Sequence, residues 1–225
     1  MTTEIKSICS KATRLALAEM VDAFQQRSDC RVTIEAVGGV DAAKRVLAGE
    51  AFDVVILASD AIDKLIAAGR VLAGSKVDLA RSGVAVAVRA GASKPDISTE
   101  AAVRAARSIG YSTGPSGVAL AKLFERWGIA DEIQSRMVQA PPGVPVGTLL
   151  ARGEVELGFQ QLSELMPLEG ITVLGPLPPA IQTITTFSAG LCSGTQQADA
   201  VRAMLDYMNT PEAADAKRRQ GLDPV

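Results

Sequence analysis

The sequence predicts an α/β protein of two lobes, each a mostly parallel sheet flanked by helices, with two crossover strands joining them. Three observations lead to that expectation. Strand-then-helix patterns follow one another three times before Gly69. The patterning changes character at Arg81-Ser82-Gly83 and again at the threonine-rich Thr183–Phe187. Two helical stretches after Phe187 need a sheet to rest on. A chain of 225 residues, 48% hydrophobic and 21% charged, has enough apolar material for two cores of ordinary size. The expected division is residues 1–81 with 183–225 as the first lobe and residues 82–182 as a second lobe inserted into it.

Taken in order, Glu4–Cys9 is a short extended run, and Ser10 precedes Lys11–Gln26, whose Leu15, Leu17, Met20, Val21 and Phe24 form a helical apolar stripe. Arg31–Val37 alternates as a strand. Gly38-Gly39 break it, and Asp41–Ala48 is helical up to Gly49. Phe52–Ala58 is the continuous apolar run of a strand buried on both faces, and Ser59-Asp60 can cap a third helix reaching Ala68. After Val77–Ala80 a break at Arg81-Ser82-Gly83 leads into Val84–Val88, the first crossover. In the second lobe, Ser98–Arg107 is a helix, Ser108–Ser112 a strand, and Thr113–Gly117 a glycine turn opening a helix through Trp127. Met137–Ala140, Val155–Phe159 and Ile171–Leu174 are further strands, with Pro141–Pro145 opening a helix to Arg152. Thr183–Phe187 is the second crossover, and Gln196–Met208 and Pro211–Gln220 return as helices to the first lobe.

Composition excludes several functions. Lys plus Arg number 23 against 25 Asp plus Glu, without a basic block, so a nucleic-acid partner is not expected. The chain has no histidine, which rules out Ser-His-Asp and Cys-His catalysis and imidazole ligation of a metal. Cys9, Cys30 and Cys192 are too scattered for a disulfide framework or a zinc site, and read as buried thiols. No metal and no cofactor is expected, since the phosphate-loop and dinucleotide glycine patterns are both missing. Met1–Cys9 has no apolar h-region or cleavage site, and no apolar run approaches the ~18 residues of a membrane span. The expectation is a cytoplasmic chain without membrane insertion, or a periplasmic one if a leader peptide has been removed. A homodimer is left open, and an ABC permease is a partner only in the second case.

Ligands of open α/β sheets bind beyond the carboxyl ends of the strands, where helix N-termini present unpaired N–H groups and partial positive charge. Those points fall at Ser10–Thr13, Gly38–Asp41, Ser59-Asp60, Ser112–Gly117 and Gly143–Val146. The candidate ligand-binding residues are therefore Ser10, Lys11, Thr13, Gly38, Gly39, Ser59, Ser112, Gly114, Ser116, Gly117 and Val144, with Arg81 and Gln160 adding charge and hydrogen bonds. The small residues let backbone donors come close to a small anion. Asp41 and Asp60 stand where a carboxylate either caps a helix or acts as a base. If the chain is an enzyme, Cys9, Lys11, Asp41 and Tyr111 are the candidate proton carriers.

With these residues in place, the chain resembles the molybdate-type substrate-binding proteins of ABC transporters, which implies a type II periplasmic-binding-protein-like fold. The resemblance rests on the opening up to Phe24, Ala48-Gly49 with Phe52–Ala58, Gly114–Gly117, and Met208–Ala214 through Gly221. It implies that a small anionic ligand, an oxyanion or an organic carboxylate, is held in the cleft between the lobes. Where those binders place hydroxyl residues this sequence has Ala12 and Gly38-Gly39, and their late tyrosine falls at Gln160, which points to an anion other than molybdate. The fold is also similar to that of bacterial aconitate isomerases, which implies the alternative of a cofactor-free isomerase moving a double bond within a polycarboxylate.

Overall fold

The computed structural model describes residues 2–97 and 100–225. It falls into two compact units. One takes the chain up to Ser82 together with Thr186–Val225, and the other takes Gly83–Thr185.

In the first unit β1 (Thr3–Ser10) runs through a 3-10 turn, Lys11–Thr13, into α1 (Arg14–Gln25). The helix therefore begins later than the apolar stripe alone suggests, because Ser10 Oγ accepts the Ala12 N–H at 3.4 Å and holds the first three residues in the tighter turn. β2 (Cys30–Val37), α2 (Gly39–Leu47), β3 (Val54–Ala58) and α3 (Ser59–Ala67) follow. β1 pairs in parallel with β2 on one side and β3 on the other, as expected for repeated strand–helix units. Gly39 belongs to α2 rather than to a break before Asp41. Ala58 stands at the N-cap of α3, so Ser59 is its first helical residue rather than its cap.

β4 (Val77–Arg89) is one continuous strand, where the sequence suggested an interruption at Arg81-Ser82-Gly83. Ladder bonds on both sides hold these residues extended: Arg81 pairs with Asp223, and Val84 pairs with Gln161. In the second unit α4 (Ala101–Ala105) has 5 residues and falls inside the expected Ser98–Arg107, of which Ser98 and Thr99 lie outside the described residues. β5 (Ile109–Tyr111), α5 (Pro115–Arg126), α6 (Ala130–Ile133), β6 (Met137–Gln139) and α7 (Val146–Arg152) come next, followed by β7 (Leu157–Gln161), α8 (Leu162–Leu165) and β8 (Ile171–Pro176). The strand expected at Val155–Phe159 is displaced two residues towards the C-terminus. Its polar end, Gln160 and Gln161, is 3% and 1% exposed and so part of the strand. The short helices α6 and α8 have too few residues to leave a periodic trace.

β9 (Ile184–Leu191) returns to the first unit antiparallel to β3, and α9 (Ala198–Met208), α10 (Pro211–Arg219) and β10 (Asp223–Pro224) complete it. Alternation along the strands splits each unit's core in two. On β1, Ile5 and Cys9 pack with α1, α9 and α10, whereas Ile8 packs with α2 and α3. On β4, Val84, Val86 and Val88 face Leu120, Leu123 and Phe124 of α5, and Ala85 and Ala87 face α7. Along β1, β3 and β4 both faces are covered, which leaves the strand ends as the place for a ligand.

Candidate functional site

Parallel pairing brings the carboxyl ends of β1, β2 and β3 to one edge of the first unit, with Ser10 beside Val37 and Cys9 beside Ile56. The residues before the following helices share one conformation: φ/ψ are −67/145° at Ser10, −57/138° at Gly38 and −55/140° at Ala58. One extended residue thus turns the chain from strand to helix and leaves the first helical N–H groups facing outwards. No side chain caps α2 or α3. A Cβ on Gly39 would lie 3.7 Å from Ser10 Oγ, so the Ser10 hydroxyl and the start of α2 stand together. Thr13 Oγ1 donates to Ser10 O at 3.0 Å and locks the turn from below. Lys11 is half-buried in the same turn.

Asp41 is in the first turn of α2, where its charge complements the helix dipole, and its carboxylate lies 3.3 Å from where a Cβ of Gly38 would be. It serves the helix without being the N-cap. Asp60 is likewise a first-turn residue of α3, ion-paired to Lys64 at 3.7 Å across exposed surface. Cys9 is 0% exposed, and burial pushes its thiol up to about 12. A thiol sealed in the core and so reluctant to ionise is not a proton carrier. Arg81, exposed on β4, sits directly across the ladder from Asp223 and so faces an opposite charge within its own sheet.

In the second unit the carboxyl ends of β5, β6 and β7 align in the same way, Tyr111 beside Gln139 and Phe159. Ser112 Oγ and Ser116 Oγ are 2.9 Å apart, and Gly114 N donates to Ser112 Oγ at 3.2 Å, folding Ser112–Gly117 into a compact turn at the start of α5. Gly117 is required here because a Cβ would stand 1.8 Å from Ser112 O. No side chain caps α5. Tyr111, half-buried, packs its ring edge towards Gly117, and Val144 is half-buried in the turn before α7.

Gln160 is used differently from the expectation of a ligand donor. Its Oε1 accepts the Val146 N–H at 2.8 Å, and its Nε2 donates to Glu164 Oε1 at 2.9 Å, so both ends of the amide are engaged by the unit itself. Two residues of this edge were missed in the sequence, Ser163 and Glu164 of α8. The available signal was the polar pair Gln160-Gln161 extending an apolar strand, followed after Leu162 by a serine and an acid of the kind that open helices.

A separate cavity of about 480 Å³ opens at the other, amino-terminal ends of β1 and β3, lined by Lys6, Asp53 and Arg70 among others, and contains none of the predicted site residues. Among the described residues, no helix is long and apolar enough to cross a membrane.

The family of bacterial extracellular solute-binding proteins matches residues 5–223. An aconitate isomerase of Pseudomonas sp is 39% identical over 93% of this chain and 83% of its own. The periplasmic molybdate-binding protein of Azotobacter vinelandii superposes with a TM-score of 0.81 at 21% identity, over 97% of this chain and 98% of that one. The sulfate-binding protein SubI of Mycobacterium tuberculosis does so at 0.80 and 16% identity, over 99% and 87%. These similarities extend over almost the whole chain, and they share the type II periplasmic-binding-like architecture that the resemblance implied. The chain belongs to the bacterial extracellular solute-binding protein family.

Proposed function

We propose that the chain binds a small polycarboxylate at these strand-end turns and shifts a double bond within it, in the manner of an aconitate isomerase. The observation that carries this reading is the 39% identity to an aconitate isomerase along nearly the full chain, well above the identity to the solved oxyanion binders. The chemistry suits the residues present. In the first unit the uncapped starts of α2 and α3 with Ser10, and in the second the uncapped start of α5 with Ser112 and Ser116, offer donors suited to carboxylate oxygens and to the negative charge that develops when a proton leaves the adjacent carbon. The reaction is redox-neutral: a proton leaves one carbon, the double bond moves, and a proton is delivered to the far carbon.

The test is an NMR time course in D2O with cis- and trans-aconitate. Migration of the double bond with deuterium entering the substrate is the expected result. A second reading, a solute receptor for an oxyanion working with an ABC permease, is favoured by the fold shared with the molybdate- and sulfate-binding proteins. Tight binding of aconitate or of an oxyanion, without turnover or deuterium uptake, would establish that reading instead.

A further inference from the structure

We propose that Glu164 carries the proton in this isomerisation and that Gln160 positions its carboxylate, an inference that rests on the isomerase reading above. The residues come together at the carboxyl end of β7, the same edge of the second unit at which Ser112–Gly117 opens α5. Gln160, 3% exposed, is fixed from two directions by its bonds to Val146 and Glu164. Only one orientation of the amide satisfies both. Flipped, its oxygen would meet a carboxylate oxygen and its NH2 group would meet an N–H donor. The amide therefore ties the start of α7 to Glu164 and holds the acid in one place relative to the strand ends, as a proton-transfer group requires.

Two further features agree. Ser163, 7% exposed and on the same turn of α8 as Glu164, has a buried hydroxyl with no hydrogen-bond partner among the described residues. A buried unpaired hydroxyl is costly in the ligand-free state, and a bound carboxylate would supply its missing partner. Of the proton carriers named from the sequence, Cys9 is sealed in the core and Asp41 serves the first turn of α2, and the chain has no histidine. A receptor for anions gains nothing from a carboxylate held at its binding edge, because like charges repel there, whereas an isomerase can use one as its base. In the step itself, Glu164 takes the proton from the saturated carbon beside a substrate carboxylate. The C–H electron pair becomes the new double bond, and the protonated Glu164, after exchange with water, delivers a proton to the far carbon, where the electrons of the old double bond take it up and the carboxylate is restored.

The experiment compares wild type with Glu164→Gln, Glu164→Asp, Gln160→Leu and, as a control on an exposed loop acid, Glu169→Gln. It measures kcat by NMR and ligand affinity by calorimetry with trans-aconitate. Glu164→Gln keeps an acceptor for Gln160 and is expected to lose at least ~100-fold in kcat with affinity retained within about threefold. Gln160→Leu should lower kcat more than it changes affinity, Glu164→Asp should keep part of the rate, and Glu169→Gln should match wild type. Near-wild-type kcat in Glu164→Gln would overturn the assignment while leaving the isomerase reading standing. Absence of turnover in wild type would remove that reading and this one together. If Glu164→Gln fails to fold, full activity in Gln160→Leu together with unchanged activity in Glu164→Asp would overturn it.

Discussion

Among single residues Lys217 is the least expected, because it reads as part of a charged helix end yet is 1% exposed in the first unit. Its Nζ donates to Asn209 Oδ1 at 3.0 Å, and burial pulls its ammonium down to about 8. The sign of the consequence follows. Below about 8 the amine is charged in both folded and unfolded chains, and the folded state bears the full cost of burying it. Between there and its ordinary value near 10.5, only the unfolded chain keeps the proton, so this group makes the protein more stable as pH rises. Lys217→Met is expected to be more stable than wild type at pH 7, by at most ~3 kcal/mol, and the advantage should shrink towards pH 10. Urea denaturation of both proteins across that range checks it. The buried Cys9 and Cys192 thiols act in the opposite direction at high pH, but they are common to both proteins and drop out of the difference.

At the scale of elements, strands and helices were legible wherever a local pattern was complete. β3 is a continuous apolar run, and α1 and α9 each carry a helical apolar stripe. The helix starts were not. Ser59 and Asp60 are typical capping residues, yet the caps of α3 and α8 are Ala58 and Gln161, chosen by backbone direction at a strand end rather than by side-chain oxygens. The pairing of Gln160 with Val146 was equally hidden, since it joins residues whose contact exists only once β6, α7 and β7 have assembled. The Ser112–Gly117 turn shows how local geometry sorts two glycines that the sequence treats alike. A Cβ on Gly114 would meet only Ser112 Oγ, at 3.7 Å, whereas one on Gly117 would strike the Ser112 carbonyl. Gly117→Ala should therefore destabilise the second unit by about 2 kcal/mol or more, and Gly114→Ala by much less. Trp127, the single tryptophan, packs 6.1 Å from Phe124 in that unit's core, so its fluorescence during urea unfolding reads the difference directly.

For the whole molecule, the net charge of −2 limits how an anion can be recognised. A chain that is itself slightly negative exerts no long-range pull on a polyanion, so on the proposed reading affinity comes from short-range donors at the strand ends. The sequence made the strand-end edge of each unit legible because the order of strands and turns fixes where its helix starts lie, but it could not name the ligand, which depends on how side chains from separate turns meet. Thermal unfolding in the presence of ligand tests the argument. An aconitate-type carboxylate at about 100 times its Kd is expected to stabilise the protein by ~2.7 kcal/mol, or roughly 5–10 °C in Tm, while molybdate, tungstate and sulfate leave it unchanged. If short-range donors dominate, that shift should persist when ionic strength is raised to ~0.5 M, where exposed charges are screened within a few ångströms. A shift abolished by salt would instead place recognition on exposed cations and away from the turns at the ends of β1, β2, β3 and β5.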